Sequence, residues 1–255
     1  MRIKYKKPPI NELIVGAYFE PPIHQLQAEH VGLFWSQVRN DFPTILQQPE
    51  MAIPVVGQTV FNFEAYPMPR YWLLAADEVM LIQIQKNAFL LNWRKRDKEY
   101  PHFEIVKQQF DRYFGAFQSF LKSEFGLEEA PVRLTELTYT NVITAENGWN
   151  GVSAIDEVFP GLTIPVLPIS GIQEPDINYV TAYRFANDLS MNLVVRTARN
   201  PVDIAKTALI FEFRTIGVLE DPTTADSWYG RAHDVISDCF TATTSPGIRE
   251  KWQPE

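Results

Sequence analysis

Residues 78–125 read EVMLIQIQKNAFLLNWRKRDKEYPHFEIVKQQFDRYFGAFQSFLKSEF, and two periodicities meet in them. Glu78–Gln85 and Ala88–Arg94 are rich in β-branched, long aliphatic and aromatic residues. Alternation puts Leu81 and Gln83 on one face of a strand and Ile82 and Ile84 on the other. Lys86-Asn87 separates the runs as a two-residue turn, where Asn tolerates a positive φ, so the pair reads as a β-hairpin. From about Pro101 the period changes. Phe103, Val106, Phe110, Phe114, Phe117 and Leu121 trace one helical face, widened by Tyr113 and Phe120, and Gly126 is a natural left-handed terminator. So aromatic a stripe has to lie on a sheet or on other helices. Core packing is favoured over a flavin or haem site, with Phe110, Phe114 and Phe117 expected to be buried against the sheet.

The pattern continues in both directions. Upstream, Asn11–Phe19 reads as a strand between proline pairs, and Val31, Phe34, Trp35, Val38 and Phe42 mark a helix ended by Pro43. Residues 49–69 hold four prolines and read as irregular, with a short edge strand at Thr59–Phe63, before a strand at Tyr71–Ala75. Downstream, strands are expected at Arg133–Thr144, Tyr179–Ala186, Met191–Thr197 and Ala208–Ile216. A helix is expected at Asp226–Thr243, with Trp228, Ala232, Val235, Ile236, Cys239 and Phe240 on one face. Ser245-Pro246 opens a short terminal helix. The predicted fold class is α+β: a largely antiparallel curved sheet with long amphipathic helices packed on one face, and a loose internal duplication. Residues 1–255 are expected to form one domain with a long irregular excursion at about 145–177.

Composition narrows the function classes. The chain is 45% hydrophobic and 21% charged, which excludes a disordered chain. Twenty-three basic and 31 acidic residues give a net charge of −8, and nucleic acid is not expected as a general partner, although a local anion contact remains open. The single cysteine, Cys239, excludes an internal disulfide and is expected to be buried and unreactive. No apolar run is long enough for a membrane span, and the expected location is cytoplasmic.

The chemistry-bearing residues are few. No metal-protease, Walker, dinucleotide or paired-cysteine motif occurs, so neither a cofactor nor a metal is expected. Asp203 followed by Glu212-Phe213-Arg214 offers an alternative catalytic set, because Glu212 and Arg214 share a strand face as in metal-dependent nucleases. Arg at that place cannot give up its proton. The run Trp93-Arg94-Lys95-Arg96 ends a hairpin strand. Arg94 reads as a tie to a carboxylate, with Glu136 or Glu104 available, or as an anion clamp with Lys95 and Arg96. Asn92 shares the face of Arg94, while Trp93 is expected beneath the long helix.

Four segments share an order and spacing: Pro8-Pro9-Ile10-Asn11-Glu12, Leu91-Asn92-Trp93-Arg94, Tyr100-Pro101-His102-Phe103 and Leu137-Thr138-Tyr139-Thr140-Asn141. Together, from about Pro8 to Trp252, they resemble a sporadically distributed, numbered conserved-hypothetical family of uncharacterised prokaryotic proteins of about this length. Where that family shows an Arg-Tyr-x-Asn step, this chain has Thr138-Tyr139-Thr140-Asn141. The resemblance implies a stand-alone cytoplasmic protein, and the family's patchy distribution associates it with mobile or defence-linked genes, with antiviral defence as one such role. Asn92, Arg94, Lys95, Arg96, Tyr139 and Asn141 are therefore candidate binding residues. Trp149 and Phe159 on the excursion join them as anchors for a protein partner. The expected function is a non-catalytic binding or accessory protein acting through a protein partner or as a homo-oligomer. The alternatives are a metal-dependent phosphoester hydrolase or nuclease, and a small-ligand-binding protein.

Overall fold

The computed structural model describes residues 4–49, 51, 54–55, 58–59, 68–165, 167, 169, 174–185, 189–199 and 206–255. The chain runs β1 (Ile10–Phe19), α1 (Ala28–Val38), β2 (Thr44–Gln48), β3 (Pro54–Val55), β4 (Gln58–Thr59), β5 (Arg70–Leu74), β6 (Met80–Gln85), β7 (Ala88–Arg94) and α2 (Phe103–Phe125). It continues with β8 (Val132–Ile143), α3 (Ile155–Val158), β9 (Asn178–Arg184), β10 (Leu189–Arg199), β11 (Thr207–Val218), α4 (Ala225–Thr243) and α5 (Pro246–Lys251). Among the described residues, nine strands form one open antiparallel sheet in the order β2-β5-β6-β7-β1-β8-β11-β10-β9, and β3 and β4 pair separately. Outward from β1 come β7, β6, β5 and β2; outward from β8 come β11, β10 and β9.

The expected hairpin is present in its predicted register, Gln85 opposite Ala88 and Met80 opposite Trp93. The helix stripe is also present, and Gly126 closes α2 at φ 69°, a conformation that costs a residue with a Cβ about 1–2 kcal/mol. Two expectations change in detail. Phe114 is half-buried, because Phe110, Tyr113, Phe117 and Phe120 take the inward positions of α2. Cys239 is also half-buried, since Trp228, Tyr229, Ala232 and Ile236 make the buried row of α4. The sequence reading missed β2 (TILQQ) and α3. The polar edge strand lacks alternation, and α3 is a single turn inside a proline-rich stretch. The short strand expected at Thr59–Phe63 lies largely outside the described residues.

Apolar burial ties the helices to the sheet. One large cluster joins Leu13, Val15, Ala17 and Phe19 of β1 with Phe34 of α1, Phe110 and Phe117 of α2 and Ile236 of α4. The intervening β1 residue Tyr18 belongs to a second, small cluster with Ala88 and Leu90. Alternation along an extended strand thus splits β1 between two environments. Helices α2 and α4 lie side by side. Lys107 Nζ is 2.7 Å from Asp111 and 2.6 Å from Asp226, and the Phe103 and His233 rings stack at 4.3 Å. Gly217 lets α4 approach β11, for a Cβ there would lie 2.0 Å from Trp228 Nε1.

Trp149 and Phe159 are not surface anchors. Both are buried: the Trp149 indole N–H donates to Thr207 Oγ1 at 3.0 Å, and the Phe159 ring packs edge-on against Phe211 at 5.2 Å. The excursion folds its aromatic residues back into the core because leaving such rings in water forfeits roughly 1.5–3 kcal/mol each. Among the described residues, the large apolar side chains it does expose are Leu167 and Ile169.

Candidate functional site

Tyr139 and Asn141 sit two apart on β8 and therefore share a face. They lie opposite Phe213 and Phe211 of β11. Beyond them the chain forms a cleft of about 960 Å³. Its floor is this part of β8 and β11. One wall is the start of α2, with Tyr100, His102 and Phe103, and another is α4, with His233, Ser237 and Phe240. The N-terminal segment closes the third side with Tyr5, Pro8 and Ile10.

The polar groups in the cleft are specific. The Tyr100 and Tyr139 hydroxyls are 3.1 Å apart and hydrogen-bonded to each other. Burial raises the pKa of both phenols above the usual tyrosine value, so both stay protonated at neutral pH and serve as donors rather than bases. Asn141 is 1% exposed. Its amide nitrogen donates to the Phe211 carbonyl at 3.4 Å, whereas Oδ1 is buried with no hydrogen-bond partner. The buried Tyr5 hydroxyl also lacks a partner. His102, the N-cap of α2, holds φ 72° and ψ 157°, a strained conformation for a residue with a side chain. Such strain persists where the surroundings over-determine it, here at the mouth of the cleft.

No activated nucleophile faces this space among the described residues. The Ser237 hydroxyl donates to the His233 carbonyl at 2.8 Å, and the Thr241 hydroxyl donates to the Ser237 carbonyl at 3.0 Å. Both are spent on their own helix. No group of three or more metal-ligating side chains occurs among the described residues. What the arrangement can do is hold a molecule between aromatic walls and offer it a few fixed polar atoms.

The basic corner resolves into a structural tie. Arg94 Nε and a terminal nitrogen donate to the Glu78 carbonyl at 3.1 and 2.9 Å, not to Glu136 or Glu104. Arg96 lies 3.4 Å from the Glu78 carboxylate, and Lys98 pairs with Asp77. The hairpin register brings this turn beside the strand end, and the Arg94 N–H already donates to the Val79 carbonyl at 2.7 Å. Arg94 and Arg96 of the clamp reading are thus held at Glu78, and Lys95 is exposed. Trp93 is buried and packs edge-on against Tyr100 at 5.2 Å, as expected.

Asn92, Glu212 and Arg214 occupy the other face of the sheet, in a chain of buried polar contacts. Asn92 donates to Glu12 at 2.7 Å and accepts from Gln83 at 2.7 Å. Arg214 pairs with the buried Glu136 at 2.7 Å, and Tyr18 and Thr138 donate to the same carboxylate at 2.6 and 2.8 Å. Glu212 accepts from Thr140 at 3.2 Å, and burial raises its pKa above the usual carboxylate range. Glu212 and Arg214 do share a face, but Arg214 is committed to Glu136. Asp203 lies outside the described residues.

Sequence reasoning found Tyr139 and Asn141 but missed Tyr5, His233 and the α4 wall. The one available signal was that His102 and Tyr100 stand in the same short motif. No family model, no curated protein and no solved structure matches this chain.

Proposed function

We propose that this chain is a non-catalytic binding protein whose ligand occupies the cleft between the N-terminal segment, α2, α4 and the centre of the sheet. The observation that carries the reading is convergence. Pro8 and Ile10, Tyr100 and His102, and Tyr139 and Asn141 come from three of the four segments that carry the family resemblance, and all line this one cleft. Trp93, from the fourth, packs against Tyr100. The volume suits a small molecule, and an apolar concavity with a few convergent polar atoms is the usual build of such a site. In the same reading the helices cover one face of the sheet, the one bearing Leu13 and Tyr139. The repeated outward order of strands from β1 and from β8 is a loose duplication that places the cleft near its centre.

The test is a fragment screen by ligand-observed NMR on the wild type and on Ser237→Trp, which fills the cleft from α4. Fragments that bind the wild type and are lost from a folded Ser237→Trp support the reading. Binding that survives the blockade overturns it.

The expected protein partner has its own support at the sheet edge. β9 is the last strand of the sheet among the described residues, and Tyr179, Val180 and Tyr183 on it are exposed. An edge with apolar side chains and no proline or lysine is a template for strand addition by another chain. Sedimentation of the wild type against Val180→Lys tests this: a self-associated or partner-bound species that vanishes with the lysine supports it.

A further inference from the structure

Two buried polar atoms of the cleft lack a partner: Asn141 Oδ1, which can only accept, and the Tyr5 hydroxyl, which can accept or donate. The carboxylates of Glu104 and Asp238 stand at the walls, and both residues are exposed. Against them, the cleft's one Lys or Arg among the described residues is Lys4, which is exposed. The hydroxyls of Ser237 and Thr241 are spent on their own helix, and one of the Tyr100 and Tyr139 hydroxyls donates to the other, which leaves a single O–H of that pair. The remaining surface is aromatic. Tyr5 and Phe240 meet edge-on at 5.8 Å, Phe213 lies 6.3 Å from Phe240, and Tyr100 lies 6.4 Å from Tyr139.

Asn141 Oδ1, the rings and the acidic groups favour the same ligand. An unpaired buried oxygen is expensive until a donor reaches it. Ring faces attract cations and repel anions, more strongly where water is displaced. Two carboxylates and a chain of net charge −8 add attraction for positive charge. A carboxylate or phosphate ligand would meet a lone pair at Asn141 and like charges at the walls.

We propose that the cleft binds an organic amine: a protonated nitrogen donating to Asn141 Oδ1, flanked by Glu104 and Asp238, with an apolar body among the rings. This rests on the cleft being a ligand site and adds the chemical class of the ligand.

The probes are phenethylamine, phenethyl alcohol and hydrocinnamate, which share one apolar body and differ in charge. They are titrated against the whole chain at neutral pH and fixed ionic strength by ligand-observed NMR. The amine is expected to bind at least about tenfold tighter than the alcohol, with hydrocinnamate weakest. Asn141→Leu is expected to bring the amine to within about twofold of the alcohol, which itself changes little. If that variant does not fold, Asp238→Asn on the exposed side of α4 decides. It should weaken the amine about two- to fivefold and leave the alcohol unchanged. Alcohol or hydrocinnamate binding as tightly as the amine overturns the amine assignment while leaving the ligand site standing. Failure of all three probes to bind, together with an empty fragment screen, overturns both.

Discussion

Removing the guanidinium of Arg214 is a direct test of the buried polar chain on the sheet. The Glu136 carboxylate is 3% exposed and is neutralised by Arg214 at 2.7 Å, with Tyr18 and Thr138 donating to it as well. In Arg214→Met the side-chain volume is largely kept, so cavity formation contributes little. What changes is that a buried negative charge loses its counter-ion. Breaking such a pair costs about 3–5 kcal/mol. For a chain of this size that corresponds to a fall in Tm of roughly 6–20 °C. Urea unfolding of wild type and variant at neutral pH measures the gap. The double variant Arg214→Met, Glu136→Leu should recover most of the loss, because removing both charges removes the desolvation cost. A single-variant loss below about 1 kcal/mol would refute the reasoning.

Other outcomes follow from the same contacts. Phe117→Ala, at a fully buried position, is expected to cost about 3–5 kcal/mol in urea unfolding, and Phe114→Ala, half-buried, clearly less. Arg94→Ala should lower stability by about 0.5–1.5 kcal/mol because it removes the hydrogen bonds to the exposed Glu78 carbonyl, while Lys95→Ala should leave the unfolding midpoint unchanged. Burial, with a smaller contribution from Asp238, raises the Cys239 thiol above its usual pKa. Native alkylation should therefore be slower than in the urea-unfolded chain and accelerate with rising pH, and fast stoichiometric labelling at neutral pH would contradict this.

Much of the architecture was written in local pattern. The alternation of Met80–Gln85 and Ala88–Arg94 around Lys86-Asn87 determined a hairpin, because strand period and turn chemistry concern neighbours in the chain. The stripe from Phe103 to Leu121 and the stop at Gly126 determined α2 for the same reason. Pairing preferences for tight turns determined an antiparallel sheet. Tertiary structure decided everything that needs a partner distant in sequence. Trp149 and Phe159 look like anchors in a proline-rich stretch until the fold supplies Thr207 and Phe211 to bury them. Arg94 could have reached either of two glutamates. Glu136 was taken by Arg214 across two strands, and the hairpin offered a nearer carbonyl at Glu78. The cleft is the fullest case. Tyr5, Tyr100, Asn141 and His233 belong to four separate segments, and nothing in their local patterns says that they meet. Periodicity reports which way a side chain faces. Whether that face meets water, a core or a waiting acceptor such as Asn141 Oδ1 is set by elements the chain brings back from far away.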